Sequence, residues 1–441
     1  MMWKREDARR LLERTIKMSR ARDVIAHLSG GTSRNTRFAA SEVTSTGDSE
    51  NAELNVTVAF GKRHGSSSVN QFDDDTLRRC VESAEEMAQL SPEDPEHMPV
   101  LGAQKYGHPA AGSHDPRTAA FGAEERARAV ATFLDASATA RLQAAGFIET
   151  GERFTAVATS AGLFAHDERT RAHASCTFRT GDGTGSGWAS GTSNKVADLD
   201  FARIARIATE KAQRSAQPTK LDPGDYMVVL EPAAVGEMLS FLTNSLDARI
   251  ADEGRSFFGK PGGGTRIGEK LLGSFSLVSN PADAAAPSTP FDGQGMPLGK
   301  MTWFEDGVLK NLVHSRYWAS KQGRTPTGQP QNLILRGSGH ESTLEDLIRS
   351  TDRGILVTHF FYVRFLEPER VSITGLTRDG TFWIENGQIK RPVNNFRFNQ
   401  EVVTCLSSAQ AWTSPVRVQD TRAVPAIKAS GFHFASISDA V

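Results

Sequence analysis

The chain has 441 residues, of which 38% are apolar, and a formal net charge of −1. That length fits two or three domains with real cores, and the balanced charge excludes a chain built mainly to hold nucleic acid or acidic lipid. Three widely spaced cysteines, Cys80, Cys176 and Cys405, exclude a disulfide scaffold and fit free thiols in a reducing compartment. The first residues, MMWKREDARRLLERTIKMSR, hold no apolar signal-peptide segment. No apolar run anywhere reaches the roughly 18 residues of a membrane span, so a cytoplasmic protein is expected.

Residues 6–28 read as an amphipathic helix, with Leu11, Leu12, Ile16 and Val24 on its buried side. Strands are predicted over 35–45, 53–61 and 64–70; in the second, Leu54, Val56, Val58 and Phe60 alternate with Asn55, Thr57 and Ala59. Asp73-Asp74-Asp75 opens a helix to about residue 90, its acidic first turn suited to the helix dipole. A Pro-, Gly- and His-rich connection covers 91–122. A helix over 123–145 and strands over 146–159, 161–167 and 170–179 follow, then a glycine-rich loop or edge strand over 181–191 and a helix over 198–214.

Residues 217–224, QPTKLDPG, read as a linker. Beyond them a short apolar run ends at Glu231-Pro232, and proline is tolerated in the first turn of a helix, where its missing N–H has no partner. Val235, Leu239, Leu242, Leu246 and Ile250 then recur at helical spacing, which predicts one helix from Pro232 to about Gly254. Short β-rich runs follow over 273–279, 299–305, 308–315, 354–365, 371–378 and 381–385, interrupted by helices near 317–322 and 342–350. Ser342 and Glu345 have capping-box spacing. Asp306-Gly307, Asp379-Gly380 and Asn386-Gly387 are turn dipeptides. The chain is thus α+β. An N-terminal domain of antiparallel strands flanked by helices spans 1–216 and a linker spans 217–224. A mainly antiparallel β domain with a central helix spans 225–416, and an extended tail spans 417–441.

The glycines at 181–191 lack the spacing of a phosphate loop and do not join a buried strand to a helix, so a turn or edge strand is the better reading. The loop 261–264 is well placed to gate a cleft. His314, His340 and His359 have no second His or Cys at metal-ligand spacing. Cys405 reads as a buried thiol, and no G-x-S-x-G elbow occurs. Asp247, Asp252 and Glu253 suit solvated or ion-paired roles better than a shared site, because Asp247 and Asp252 would not lie on one helix face.

A series of segments carries a resemblance. Asn35-Thr36-Arg37-Phe38-Ala39, Phe60-Gly61-Lys62-Arg63-His64-Gly65 and Ser91-Pro92-Glu93-Asp94-Pro95 come first. Val228-Val229-Leu230-Glu231-Pro232 leads into the central helix, and Gly254-Arg255-Ser256-Phe257 follows it. Thr289-Pro290-Phe291-Asp292-Gly293-Gln294-Gly295-Met296-Pro297, Glu305-Asp306-Gly307-Val308-Leu309-Lys310, Ile373-Thr374-Gly375 and Phe382-Trp383-Ile384-Glu385-Asn386-Gly387 complete the series. In this order and over nearly the whole length, the chain resembles the TldD/PmbA family of peptidase-related proteins.

The resemblance implies an N-terminal α/β domain, a C-terminal antiparallel β domain and dimerisation around an enclosed cavity. In catalytic members the central helix carries HExxxH, and a late cysteine adds a third zinc ligand; the glutamate then serves as general base. A second kind of member lacks the motif and acts as a partner subunit. Aligned from Pro232, the motif's positions fall on Ser240 to Ser245: both histidines read as serine, Ser240 and Ser245, and the glutamate reads as Phe241. The helix region contains no histidine, and no cysteine follows Cys405.

The resemblance therefore implies a non-catalytic TldE/PmbA-like subunit with no cofactor of its own. Zinc is expected in an HExxxH-bearing TldD-like partner, and the substrate is an unfolded or modified peptide. Ser240, Asn244, Arg255 and Ser256 are expected to line the peptide chamber, with Arg255 placed either to hold a peptide carboxylate or acidic side chain or, equally, to make a structural salt bridge. Two alternatives stay open. One is an active peptidase with a metal or thiol site relocated to Cys405, His314, His340 or His359. The other is a homodimeric peptide-binding protein. Neither nucleic acid nor membrane is expected as a partner.

Overall fold

The computed structural model describes residues 2–438, which form three β-sheets and their flanking helices. The first sheet uses the chain before residue 217. Helix α1 (Arg5–Lys17) is followed by strands β1 (Asp23–Ala39), β2 (Glu42–Phe60) and β3 (Arg63–Val69). Helices α2 (Asp74–Leu90), α3 (Pro116–Ala119) and α4 (Ala123–Ala140) come next. Strands β4 (Leu142–Thr159), β5 (Phe164–Thr180) and β6 (Ser186–Ser193) and helix α5 (Phe201–Arg214) complete the unit. The spatial order is β3-β2-β1-β4-β5-β6, antiparallel throughout. Burial alternates along the strands, as a period of two requires: Val24, Ala26 and Leu28 of β1 meet α1 and α2, and Phe38 further along the strand meets α4. Helices α2 and α5 sit close enough that glycine is needed beneath them. A Cβ on Gly65 would lie 2.1 Å from the carbonyl oxygen of Ala84, and one on Gly187 2.3 Å from that of Ala208.

The first helix is shorter than its apolar spacing suggests. It ends at Lys17, and Val24 belongs to β1, because Val24, Ala26 and Leu28 alternate with His27 and Ile25 at period two. The two predicted strands over 161–167 and 170–179 are one continuous strand, β5. The glycine-rich stretch resolves into a turn and the edge strand β6.

The remaining chain builds two sheets around one helix. Strand β7 (Gly224–Leu230) leads into α6 (Pro232–Asn244) and α7 (Ala248–Asp252). Strands β8 (Phe275–Ser279), β9 (Met301–Glu305) and β10 (Val308–Leu309), helix α8 (Arg316–Lys321), strand β11 (Leu333–Gly337) and helix α9 (Leu344–Arg349) follow. Then come β12 (Arg353–Glu367), β13 (Ser372–Glu385), β14 (Gln388–Pro392), β15 (Asn395–Glu401), α10 (Val402–Ser407), β16 (Ala409–Trp412), β17 (Val416–Gln419), β18 (Arg422–Val424) and β19 (Ile427–Ser438). One sheet runs β10-β9-β8-β11-β18-β17 and the other β12-β7-β19-β15-β13-β14. Pairing is antiparallel except for β7 with β12 and β11 with β18. Val235, Met238, Leu239 and Leu242 of α6 are buried in a core shared with Phe275, Leu277 and Leu335 of one sheet and Val357, Phe398 and Ile427 of the other.

Four expectations change here. The helix over 232–254 is two helices, broken at Ser245 to Asp247. The capping box lies one residue later, on Thr343 and Asp346. Asp379-Gly380 does not turn the chain: with φ of 55° and 125° these residues make an irregularity inside β13. Residues from Arg417, read as a tail without pattern, form β17, β18 and β19, and β19 lies between β7 and β15. Residues 439–441 of that tail lie outside the described residues.

Candidate functional site

The break after α6 is built by its own side chains. The Ser245 hydroxyl donates back to the Phe241 carbonyl at 3.1 Å, and Ser245 caps α6 with its N–H on the Leu242 and Thr243 carbonyls. Asp247 then caps α7, its Oδ1 accepting from the Ile250 N–H at 2.9 Å. Such a cap satisfies one of the orphan donors of a helix start. Gly254, at φ 71°, ends α7 in the left-handed region that glycine adopts freely.

Ser240 faces β17 and β18 from the last turn of α6. Its hydroxyl donates to the Gly236 carbonyl at 3.2 Å and accepts from Nη1 of Arg422. The same Nη1 donates to Oε1 of Gln419 at 2.7 Å. Glu237, one turn before Ser240, accepts from Gln419 at 3.4 Å. Burial pushes the Glu237 carboxyl above its ordinary value, partly offset by the charge of Arg422, and burial lowers the Arg422 guanidinium. Phe241 packs edge-on against Phe365 at 4.8 Å between ring centres.

Two clefts flank this region. One, of about 370 Å³, is lined by Asn244, Asp247, Gln329, Gln331, Asn332 and Arg422 among others. The other, of about 610 Å³, runs along the glycine loop 261–263 and is lined by Ser256, Phe257, Lys260, Arg266 and Arg370. The four residues expected to share a chamber are therefore separated. Asn244 lines the smaller cleft and Ser256 the larger, while Ser240 lies one hydrogen bond behind Arg422. Arg255 is exposed and paired with Glu253, the salt-bridge alternative of the two expected for it. Asp252 accepts from the Trp318 indole at 2.7 Å, and Glu253 also pairs with Arg249, in keeping with structural roles.

The candidates for relocated chemistry do not meet. Cys405 lies in α10, 1% exposed, and burial pushes its thiol up to about 12. His314 is buried with Nδ1 on the Leu312 carbonyl, and His340 is exposed. His359 lies on β12 against Trp188 of the first sheet, with Nε2 3.2 Å from Asp379, whose other oxygen accepts from Ser186. This order differs from a nucleophile–base–acid relay, because the carboxylate rather than the imidazole stands next to the serine. Among the described residues no group of three His, Cys, Asp or Glu side chains is placed to hold a metal ion.

Comparison with known proteins identifies the architecture. Models of three domains of one family match consecutively: PmbA/TldA metallopeptidase domain 1 at residues 28–88, the central domain at 118–216 and the C-terminal domain at 223–436. The chain belongs to the PmbA/TldD family. The chain is 32% identical over 111 residues to metalloprotease PmbA of Escherichia coli O157:H7, a match covering 24% of this chain and 23% of that protein. A metalloprotease of Methanothermobacter thermautotrophicus is 23% identical over 236 residues, covering 50% of this chain and 49% of that one. The chain thus matches half or less of the length of these curated relatives.

Solved structures reproduce the whole fold. TldE from Thermococcus kodakarensis superposes with a TM-score of 0.84 at 19% identity, over 97% of this chain and 100% of that one. A proposed modulator of a DNA gyrase from Thermotoga maritima gives 0.85 at 18%, again over 97% and 100%. No helix among the described residues of this PmbA/TldD chain is long and apolar enough to cross a membrane.

The zinc that HExxxH implies does not fit the residues at the motif's positions. Ser240 and Ser245 offer neutral hydroxyls already bonded within the protein, and Phe241 offers no proton acceptor. A guanidinium sits on Ser240, and its positive charge opposes a second cation there. Sequence reading missed Arg422 and Gln419, and no local signal could have found them, since only strand pairing carries them to α6.

Proposed function

We propose that this chain is the non-catalytic, TldE/PmbA-like subunit of a TldD-type zinc metalloprotease acting on unfolded or modified peptides. Its partner is an HExxxH-bearing TldD-like chain, and its own share of the work is to close the chamber and hold peptide. The observation that carries this reading is the Arg422 guanidinium bonded to Ser240, which the resemblance puts at the first histidine of the motif. A fixed cation there fits a subunit that handles charge on peptide, and it disfavours one that binds zinc. Family membership and the likeness to TldE support the same reading. The polar clefts beside α6 and Ser256, with their amide and hydroxyl side chains, suit contacts to peptide backbone.

The test is reconstitution. The purified chain should hold less than stoichiometric zinc and should leave an unfolded peptide intact. Peptidase activity should arise only when a TldD-like partner bearing HExxxH is added, and the two chains should co-purify. Tightly held zinc at one ion per chain, or hydrolysis by this chain alone, would overturn the reading. A homodimer that never engages such a partner would leave only the peptide-binding part.

A further inference from the structure

We propose that the 370 Å³ cleft between the end of α6 and the turn before β18 is a binding site for the terminal carboxylate of a peptide, with Arg422 as its anchor. The inference rests on the peptide-holding reading above and names the group that is held. Arg422 lines the cleft. Both of its side-chain hydrogen bonds, to Ser240 and Gln419, leave from Nη1. Among the described residues Nε and Nη2 donate to nothing and no carboxylate lies within ion-pair distance, although burial already disfavours the charge. The free Nε–Nη2 edge of a guanidinium is the edge that accepts a carboxylate through two parallel hydrogen bonds. A half-buried cation with that edge held open by two neutral partners is costly unless an anion arrives.

The rest of the cleft supports a chain end and not an isolated acid. Asn244, Thr243, Gln329 and Gln331 offer donors and acceptors for backbone amides, and Ile250, Val313 and Leu333 offer apolar contact. Asp247, the cleft's carboxylate, spends Oδ1 on the α7 cap, and its charge repels a second acid on the ligand. Glu237 acts on Arg422 through its charge but lies behind Gln419, to whose amide it is bonded, and it makes no hydrogen bond to the guanidinium. The chemistry is that of a peptide with one free C-terminal carboxylate and a neutral preceding residue.

Calorimetric titration of the full chain with N-acetyl-tetra-alanine tests this, as the free acid, as the C-terminal amide, and as an amide with an internal glutamate. The free acid should bind at least about tenfold more tightly than the amide, in line with a charge-assisted bidentate pair. Arg422→Gln should erase that difference while leaving the melting temperature within a few degrees, and Arg422→Lys should retain only part of it. A purely structural role for Arg422 would not move the acid-to-amide ratio. Equal affinity for acid and amide would overturn the carboxylate site while leaving peptide holding intact. Equal affinity for the acid and the glutamate-bearing amide would overturn the terminal assignment. No binding of any of the three at millimolar concentration would overturn the site outright.

Discussion

Cys405 shows how a side chain's environment decides its chemistry. The thiolate is the reactive form, and burial pushes both Cys405 and Cys176 up to about 12 and raises Cys80 as well. None of the three should react with iodoacetamide in the native protein at pH 8, and all three should react in urea; mass spectrometry of the alkylated chain reads the outcome. Rapid native labelling of Cys405 would revive a thiol mechanism. Ser240 makes the same point from the other side. In the sequence it stands where the resemblance expects the motif's first histidine, whereas in the fold it is one of the two acceptors that fix an arginine.

Among the elements, the break between α6 and α7 depends most visibly on a single side chain. The apolar repeat through Leu246 and Ile250 continues across it, so periodicity alone predicts one helix. The Asp247 carboxylate instead gives the Ile250 N–H a partner outside a continuous helix, as short polar side chains do at helix starts. Removing the cap should show in stability. Asp247→Ala should cost about 1 kcal/mol and Asp247→Asn much less, because the amide oxygen can still accept from Ile250; urea unfolding of the two variants measures the difference. No loss on Asp247→Ala would mean that tertiary packing alone holds α7. Asp379-Gly380 is the converse case, a turn dipeptide overridden because β12 pairs with β13 on both sides of it, at Arg378 and from Thr381 onward.

Across the whole molecule, polar contacts tie the first sheet to the rest. Lys211 of α5 reaches Glu231 at 2.7 Å, Arg171 reaches Asp420 at 2.8 Å, and Ser186 and Trp188 of β6 meet Asp379 and His359. Burial holds His359 well below the ordinary imidazole value, with Asp379 opposing that shift and Lys211 and Arg378 adding to it. The unfolded chain then binds this proton more readily than the folded one. The contribution of His359 to stability is full above the unfolded value of about 6.5 and is lost as pH falls below it. The melting temperature should therefore drop from pH 7.5 to pH 5 by more in the wild type than in His359→Gln. An equal drop in both would remove His359 from the acid response.

Much of the fold is legible without coordinates because local physics dictates it. The alternation in β2, the Asp73 cap of α2, Pro232 at the start of α6 and the turns at Asp306-Gly307 and Asn386-Gly387 each follow from a few adjacent residues. The order of family segments extended that reading to membership. Tertiary structure alone decided the rest. The strands after Arg417 carry too little apolar pattern to announce themselves; β18 and β19 pair with β7, β11 and β15, more than 20 residues away in each case, and β17 is held at the sheet edge by β18. Arg422 reaches Ser240 across 182 positions of sequence. No local rule connects residues so far apart, so which cation sits on the central helix, and which cleft it guards, is settled only when the sheets close around α6.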